Sequence, residues 1–556
     1  MRIYRSEEIP IPTDQNLTEL LHSSARPGLP ESHLIAKDNL TNRSITIGRL
    51  RERAGRIAKG FQLKLEPRDQ SRWAIILPNS VEFLELVHAI LWTGGVVCPI
   101  NHALKASEIG HGISVARPDF VVSYGPTVSV VRDALEIASA QLASKGVAWE
   151  KPEIITVVSR APGHLHVPHD FYASERLPVP HFADTRARLA TIHLSSGTTG
   201  NPKGVELTHY NFVANCYQLF ARDPAVFAPQ ARCVAFTPWA HIANTTLPLF
   251  LGPWTGMLHH AMPAYDFDQY VGLVGSDRAT TFQGVPSVVL QLASSDAVAR
   301  HDFSQARVIN VGGALRPALR DRLLRRAPWR LNQVYGMTEA AGYVAYQRLD
   351  ESPPDGVTGR LLANIEACLK REGSAEDAPE GGPGELWLRG PNMTRGYAFD
   401  DAANEKGFPL PGWYNTGDVC TIDAEGAVSV VGRTKDLIKY KGFQIAPAEL
   451  EGHLNAHPHV VEGGVGPTWD ESQLTELPTA WVILKDHFRT AAQQRQALRE
   501  IHQHVDGEVS GYKKLRGGVW QINRLPKNST GKILRKQLVE IRNGLCSLDA
   551  APRAKL

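Results

Sequence analysis

Net charge, long hydrophobic runs and cysteine are all in short supply in this chain, and each shortage excludes a class of protein. Lys and Arg number 60 against 57 Asp and Glu, which leaves no broad basic surface for a nucleic acid. The longest apolar stretch, from Leu86 to Ile100, is interrupted by Thr93, Gly94 and Gly95 and falls short of a membrane span. Residues Met1 to Glu8 lack the apolar core of a signal peptide. The six cysteines, Cys98, Cys216, Cys233, Cys368, Cys420 and Cys546, are scattered and never at metal-ligand spacing, so reduced thiols in a soluble, non-secreted protein are expected. His164, His166 and His169 cluster between prolines with Asp170 as the one close carboxylate, a pattern read as a solvated loop rather than a metal site. A Walker loop is absent too where glycines are dense, because Lys203 follows Pro202 and precedes Gly204 instead of leading into Ser or Thr.

What is present is a loop suited to a polyphosphate. Ser195, Ser196, Gly197, Thr198, Thr199 and Gly200 run on to Lys203 and Gly204: glycines bring backbone N–H groups close to an anion, hydroxyls donate, and the lysine adds charge. Ala190–Leu194 reads as a strand entering the loop and Val205–Leu207 as one leaving it. Thr208 caps a helix that should bury Phe212, Cys216, Leu219 and Phe220.

At 556 residues, 43% of them hydrophobic, the chain should form a large N-terminal body and at least one further domain. Trp73–Ser80, Val81–Trp92 and Val96–Ile100 read as a strand–helix–strand unit, and that alternation continues to about residue 330, which predicts an α/β body with mostly parallel sheets. From Gly356 to Val431 the texture changes to short alternating runs such as Glu385–Gly390, as in a small antiparallel barrel or sheet. Beyond it, Pro447 should begin a helix, and Trp481–Leu484 and Val519–Ile522 should be strands.

The stretch from Ser195 to Gly204 resembles the phosphate loop of the acyl-adenylate-forming superfamily, which includes acyl-CoA synthetases, 4-coumarate–CoA ligases, beetle luciferases and peptide-synthetase adenylation domains. The resemblance covers nearly the whole chain with its motifs in order. It implies two sheet-and-helix subdomains and a small barrel-like subdomain in an N-terminal domain over residues 1–434, then a small mobile α+β domain over 435–556. ATP, Mg²⁺ and CoA are the implied cofactor and co-substrates.

Residue by residue, the resemblance places Gly313 and Gln333-Val334-Tyr335 at the adenine, Thr338 at the α-phosphate and Glu339 on Mg²⁺, a cation that prefers carboxylates together with phosphates. Asp418 stands where relatives chelate the ribose hydroxyls, and Arg433 at their second ribose contact. Lys435 falls at the hinge. Lys439 and Gln444 match residues used in adenylation, Lys441-Gly442 the element used with CoA, and His241 the histidine beside the acyl carboxylate. Lys532, on the Lys527–Lys532 loop, is the lysine expected to neutralise charge as the carboxylate attacks the α-phosphate.

An ATP-dependent acid–thiol ligase follows: a carboxylic acid becomes an acyl-adenylate with release of pyrophosphate, and the CoA thiol then displaces AMP. Ala243, where the resemblance leads one to expect an aromatic, and Val334, where it leads one to expect glycine, depart from the plant hydroxycinnamate pattern and leave aryl, arylacetic and medium-chain acids open. A carrier-loading adenylation protein, a luciferase-type use of the adenylate and a non-catalytic nucleotide binder are the rival readings. The C-terminal Ala554-Lys555-Leu556 matches the pattern of the peroxisomal import address, so a peroxisomal import receptor is an expected partner.

Overall fold

The computed structural model describes residues 1–195, 202–284, 286–306, 308–312, 317–326, 329–351, 357–371, 373–433, 438–445, 447–485, 488–526, 533, 535–542 and 544–548. Two compact units divide them. One takes Met1–Ser195, Lys203–Gly284 and Gln291–Gly432, and the other takes Arg433–Leu556 together with the short segments 196–202 and 285–290.

The first unit holds two sheets. In the eight-stranded one, Arg72–Ile76 and Val96–Pro99 pair in parallel around the helix Val81–Trp92, the strand–helix–strand unit read from sequence. Every residue of that helix is buried, including Glu82 and Glu85. Two carboxylates inside a core require counter-charge, and Arg43 supplies it at 2.6 Å from Glu82 and 2.8 Å from Glu85, with Arg53 also on Glu85. Leu189–Ser195 runs parallel to Val96–Pro99, and Lys203–Thr208 turns back antiparallel to it. Gly396–Tyr397 completes that edge.

The larger sheet has fourteen strands. Its parallel part includes Leu34–Asp38, Leu258–Ala261, Arg232–Ala235, Thr281–Gly284, Val308–Gly312 and Arg330–Tyr335. The antiparallel texture after residue 356 takes the form of a wing continuing this sheet, with Val357–Leu361, Ala427–Arg433, Tyr414–Ile422, Gly384–Arg389 and Glu366–Lys370 in that order. Ala345–Tyr346 is the splice, antiparallel to strands on both sides.

Thr208 caps the helix His209–Arg222 in a reciprocal capping box with Asn211. Phe212, Cys216 and Leu219 are buried, but Phe220 is only half-buried, edge-on to Trp254 at 5.4 Å with Arg26 over its ring. All six cysteines are buried and unpaired. His166 belongs to a short strand, His166–Val167, rather than to a loop, and its N–H donates to Asp170 Oδ2, while His169 Nδ1 lies 2.9 Å from Asp170 Oδ1. Among the described residues no His, Cys, Asp and Glu group has metal-binding geometry, and no helix is long and apolar enough to cross a membrane.

The second unit is built on the antiparallel pair Val460–Asp470 and Thr475–Leu484, with Val519–Gln521 parallel to the latter. Helices Pro447–Ala456 and Ala491–Glu508 contribute Leu450, Leu454, Leu498, Ile501 and Val505 to its core. Ile438–Tyr440 and Phe443–Ile445 form a separate small hairpin.

Candidate active site

The ladder places Ser195 directly opposite Lys203, so these two residues close the phosphate-loop segment at its base. Ser196, Gly197, Thr198, Thr199 and Gly200 lie outside the described residues. Ser195 is buried and its Oγ has no hydrogen-bond partner. An orphaned buried hydroxyl costs about 1–3 kcal/mol, a cost that a phosphate oxygen accepting from it would remove. Lys203 Nζ lies 5.0 Å from the centre of the Tyr397 ring on the adjoining edge strand.

Tyr397 is the link that the sequence did not reveal. Its hydroxyl donates to Glu339 Oε1 at 2.9 Å and lies 2.9 Å from the Tyr414 hydroxyl. Burial pushes both phenols far up, so each remains a neutral hydrogen-bonding group. Glu339 sits in the single turn Thr338–Ala340, and its carbonyl accepts from Thr394 N at 2.7 Å. One cationic side chain and one carboxylate are thus fixed against the same ring.

Tyr335 ends the strand Arg330–Tyr335, which also carries Gln333 and Val334. Beyond it the backbone turns so tightly that a Cβ on Gly336 would meet the Gly342 carbonyl oxygen at 1.8 Å, and only glycine fits there. Tyr335 donates its hydroxyl to Asp418 Oδ2 at 2.8 Å, and Asp418 N donates to Thr416 Oγ1 at 3.0 Å. Burial and the Asp418 charge push the Tyr335 phenol well up. The nucleoside residues read from two distant motifs are therefore joined by one buried hydrogen bond. Gly313 lies outside the described residues, and of Arg433 only the backbone, at the end of Ala427–Arg433, is described.

His241 caps the helix Ile242–Thr245, and its carbonyl accepts from Asn244 N and Thr245 N. That helix widens into a π-helical turn over Thr246–Leu251, where Pro248 has no N–H to give an α-helical ladder. The His241 side chain is solvent-accessible, yet enough protein surrounds it for desolvation to lower its pKa. Behind it His193 is fully buried between the Thr191 and Thr245 hydroxyls at 2.7 and 2.8 Å, with its pKa held down to about 3 chiefly by burial. His193 thus pins the strand entering the phosphate loop to the helix that His241 begins.

In the second unit, Lys439 and Gln444 are partners in the ladder of the small hairpin. Lys441 and Gly442 form its two-residue turn, with φ of +48° and +87°. A tight hairpin turn with both central residues left-handed matches strand twist, and glycine takes this conformation without strain. Lys439 is exposed, and the Lys441 N–H donates to Thr475 Oγ1 at 2.7 Å. Lys435 and Lys532 lie outside the described residues.

A family model described as AMP-binding enzyme matches residues 29–398. The chain belongs to the AMP-binding enzyme family. The model of the AMP-binding enzyme C-terminal domain matches residues 449–532. Among curated relatives, 4-coumarate–CoA ligase 5 of Oryza sativa is 30% identical over 90% of each chain. Acyl-CoA ligase azaF of Aspergillus niger is also 30% identical, over 83% of this chain and 86% of its own. Among solved structures, a double mutant of o-succinylbenzoate CoA synthetase from Bacillus subtilis superposes with a TM-score of 0.77 at 24% identity, covering 95% of this chain and 99% of that one, a likeness of fold. In this AMP-binding enzyme the unpartnered buried Ser195 hydroxyl, Lys203 and the Glu339 carboxylate fit a magnesium nucleotide, in which a carboxylate shares Mg²⁺ with phosphates.

Proposed function

We propose that this enzyme joins a carboxylic acid to CoA at the expense of ATP, through an acyl-adenylate. The observation that carries the reading is the Tyr397-centred contact set, which fixes Lys203 and Glu339 beside Ser195, with Asp418 tied to Tyr335. In the first step Ser195 and Lys203 hold the phosphates and Asp418 accepts hydrogen bonds from the ribose. Glu339 would hold Mg²⁺, which neutralises phosphate charge. Gly313, Gln333, Val334 and Tyr335 line the adenine, Thr338 contacts the α-phosphate, Arg433 adds a ribose contact, and Ser196, Gly197, Thr198, Thr199 and Gly200 complete the cradle.

Lys532 is assigned the charge neutralisation of adenylation, with Lys439 and Gln444 supporting it. His241, kept neutral by desolvation, is assigned the placing of the acyl carboxylate. In the second step Lys441-Gly442 directs the CoA thiol, which attacks the acyl carbon as AMP leaves. We place the domain joint at 434/435 with Lys435 as hinge, because two half-reactions over one adenylate call for different groups in turn. Tyr343, whose hydroxyl donates to the Ala243 carbonyl at 3.2 Å, stands beside the position where an aromatic is missing, so an aryl, arylacetic or medium-chain acid remains the substrate class. Ala554-Lys555-Leu556 is proposed as the peroxisomal address; it lies outside the described residues, and import of the full chain that is lost on deleting Leu556 would support it.

AMP and thioester formation from ATP, Mg²⁺ and a panel of acids, each with and without CoA, tests the ligase. Equal amounts of AMP and thioester with one acid class support it. Pyrophosphate release without capture by CoA would transfer the assignment to a carrier-loading enzyme.

A further inference from the structure

A cavity of ≈ 320 Å³ opens beside the strand Lys203–Thr208 and takes none of its lining from the residues assigned to nucleotide or acid. Phe399 stands at it, 56% exposed, with a left-handed backbone at φ +56°. Such a conformation strains a bulky residue. The Arg117 guanidinium lies 3.9 Å from the centre of its ring and that of Arg72 5.4 Å. A stacked guanidinium retains its N–H fork for a planar or tetrahedral oxyanion.

The carboxylates around the cavity are already engaged. Asp119 accepts from Arg68 at 2.8 Å and from the Arg72 backbone N–H at 2.8 Å. Asp69 is held by Arg188 at 2.5 and 2.6 Å, and Glu206 by Arg395 at 2.7 Å. The Arg72 guanidinium reaches Asp119 only at 3.9 Å. Among the described residues no ion pair reaches Arg117, and its buried Nε has no hydrogen-bond partner. Burial, and then the neighbouring Arg72 charge, push the Arg117 pKa below its ordinary value, an unfavourable pairing that an anion between them would relieve.

We propose that a phosphate-type oxyanion binds at the Phe399 rim of this cavity, between Arg72, which lines it, and Arg117, which lies beyond the lining on the Phe399 ring, with Phe399 as the platform that holds both guanidinium groups. The site is independent of the ligase chemistry. Equilibrium dialysis of the full chain with radiolabelled inorganic phosphate, in excess AMP and at constant ionic strength, tests it. The expected result is one phosphate per chain that Arg117→Gln weakens at least tenfold and Phe399→Ala several-fold, while Lys203→Ala leaves it unchanged. Arg117→Gln should also leave KM for ATP unchanged. Should that variant fail to fold, Arg117→Lys, which keeps charge but loses the fork, should still weaken phosphate several-fold. Glycerol 3-phosphate competing with phosphate would identify a phosphate ester as the natural group, and failure to compete would identify the free ion. Binding that survives Arg117→Gln and disappears with Lys203→Ala, or no retained phosphate at all, would overturn the proposal.

Discussion

Two hairpins of this enzyme present lysines, and they do so in opposite ways. In the first unit, Ser195 and Lys203 face each other in a ladder buried on most sides, and Tyr397 braces Lys203 against Glu339 and Tyr414. In the second, Lys439 is exposed and Lys441 occupies the left-handed position of a two-residue turn. The first arrangement is fixed before any ligand arrives, as a group that must stabilise developing charge should be. The second is held through its backbone, by Thr475 at Lys439 and Lys441 and by Glu476 at Lys439 N, and through the buried Ile438, Tyr440 and Ile445, so its lysines are placed by the turn and not by a ring brace.

The largest expected effect belongs to Lys532→Ala, outside both hairpins, which should lower adenylate formation by about 10²–10³-fold, the usual cost of losing one electrostatic stabiliser, while thioester formation from supplied acyl-adenylate persists. Equal loss in both half-reactions, measured by pyrophosphate release and by thioester yield, would merge the roles proposed for Lys532 and for Lys441-Gly442.

Acid should strike the first unit through His193. Its folded pKa of about 3 lies below the unfolded value of 6.5, so the unfolded chain binds more protons between these limits. Its contribution to stability is therefore complete above pH 6.5 and is lost as pH falls towards 3; at pH 5 the loss is about 2 kcal/mol. Chemical denaturation of wild type and His193→Gln from pH 7 to 5 measures this. His193→Gln should be less stable at pH 7 and show a shallower decline; parallel curves would assign the acid sensitivity to other groups.

Tyr397→Phe keeps the ring beneath Lys203 and removes only the hydroxyl. It should reduce kcat/KM for magnesium–ATP by about tenfold, equivalent to about 1.4 kcal/mol for one charge-assisted hydrogen bond, and leave capture of CoA from a supplied adenylate intact. An unchanged kcat/KM would show that Glu339 needs no brace. The smallest effect belongs to the other hairpin. Gly442→Ala, at φ +87°, should cost about 1 kcal/mol of local strain and slow thioester formation while sparing pyrophosphate release; slowed adenylation alone would reverse the assignment of this turn.

Local order was written in the sequence wherever one segment decides its own structure. The strand–helix–strand unit at Arg72–Pro99, the capping box at Thr208, and the helix starting at Pro447 follow from side-chain periodicity, caps and turn chemistry. The motif order brought Ser195, Lys203, Tyr335, Glu339 and Asp418 forward as candidates, because a loop suited to phosphate, a tight glycine turn and a carboxylate each leave a compact trace. Phe220, taken as a core residue by spacing, proved to lie at the margin, since its surroundings come from Trp254 and Arg26 on remote segments.

Only the tertiary structure decided what connects these pieces. The Tyr335–Asp418 bond spans 83 residues and the Tyr397–Glu339 bond 58, and the local pattern of neither tyrosine indicates its hydrogen-bond partner. The same holds for His193, which reads as an ordinary strand residue until Thr245 comes to face it, and for Arg117 on Phe399. Backbone conformation and capping are set by neighbours a few residues away, so the sequence alone determined them. Buried hydrogen bonds and desolvation depend on which distant segments exclude water together, and that choice belongs to the folded chain.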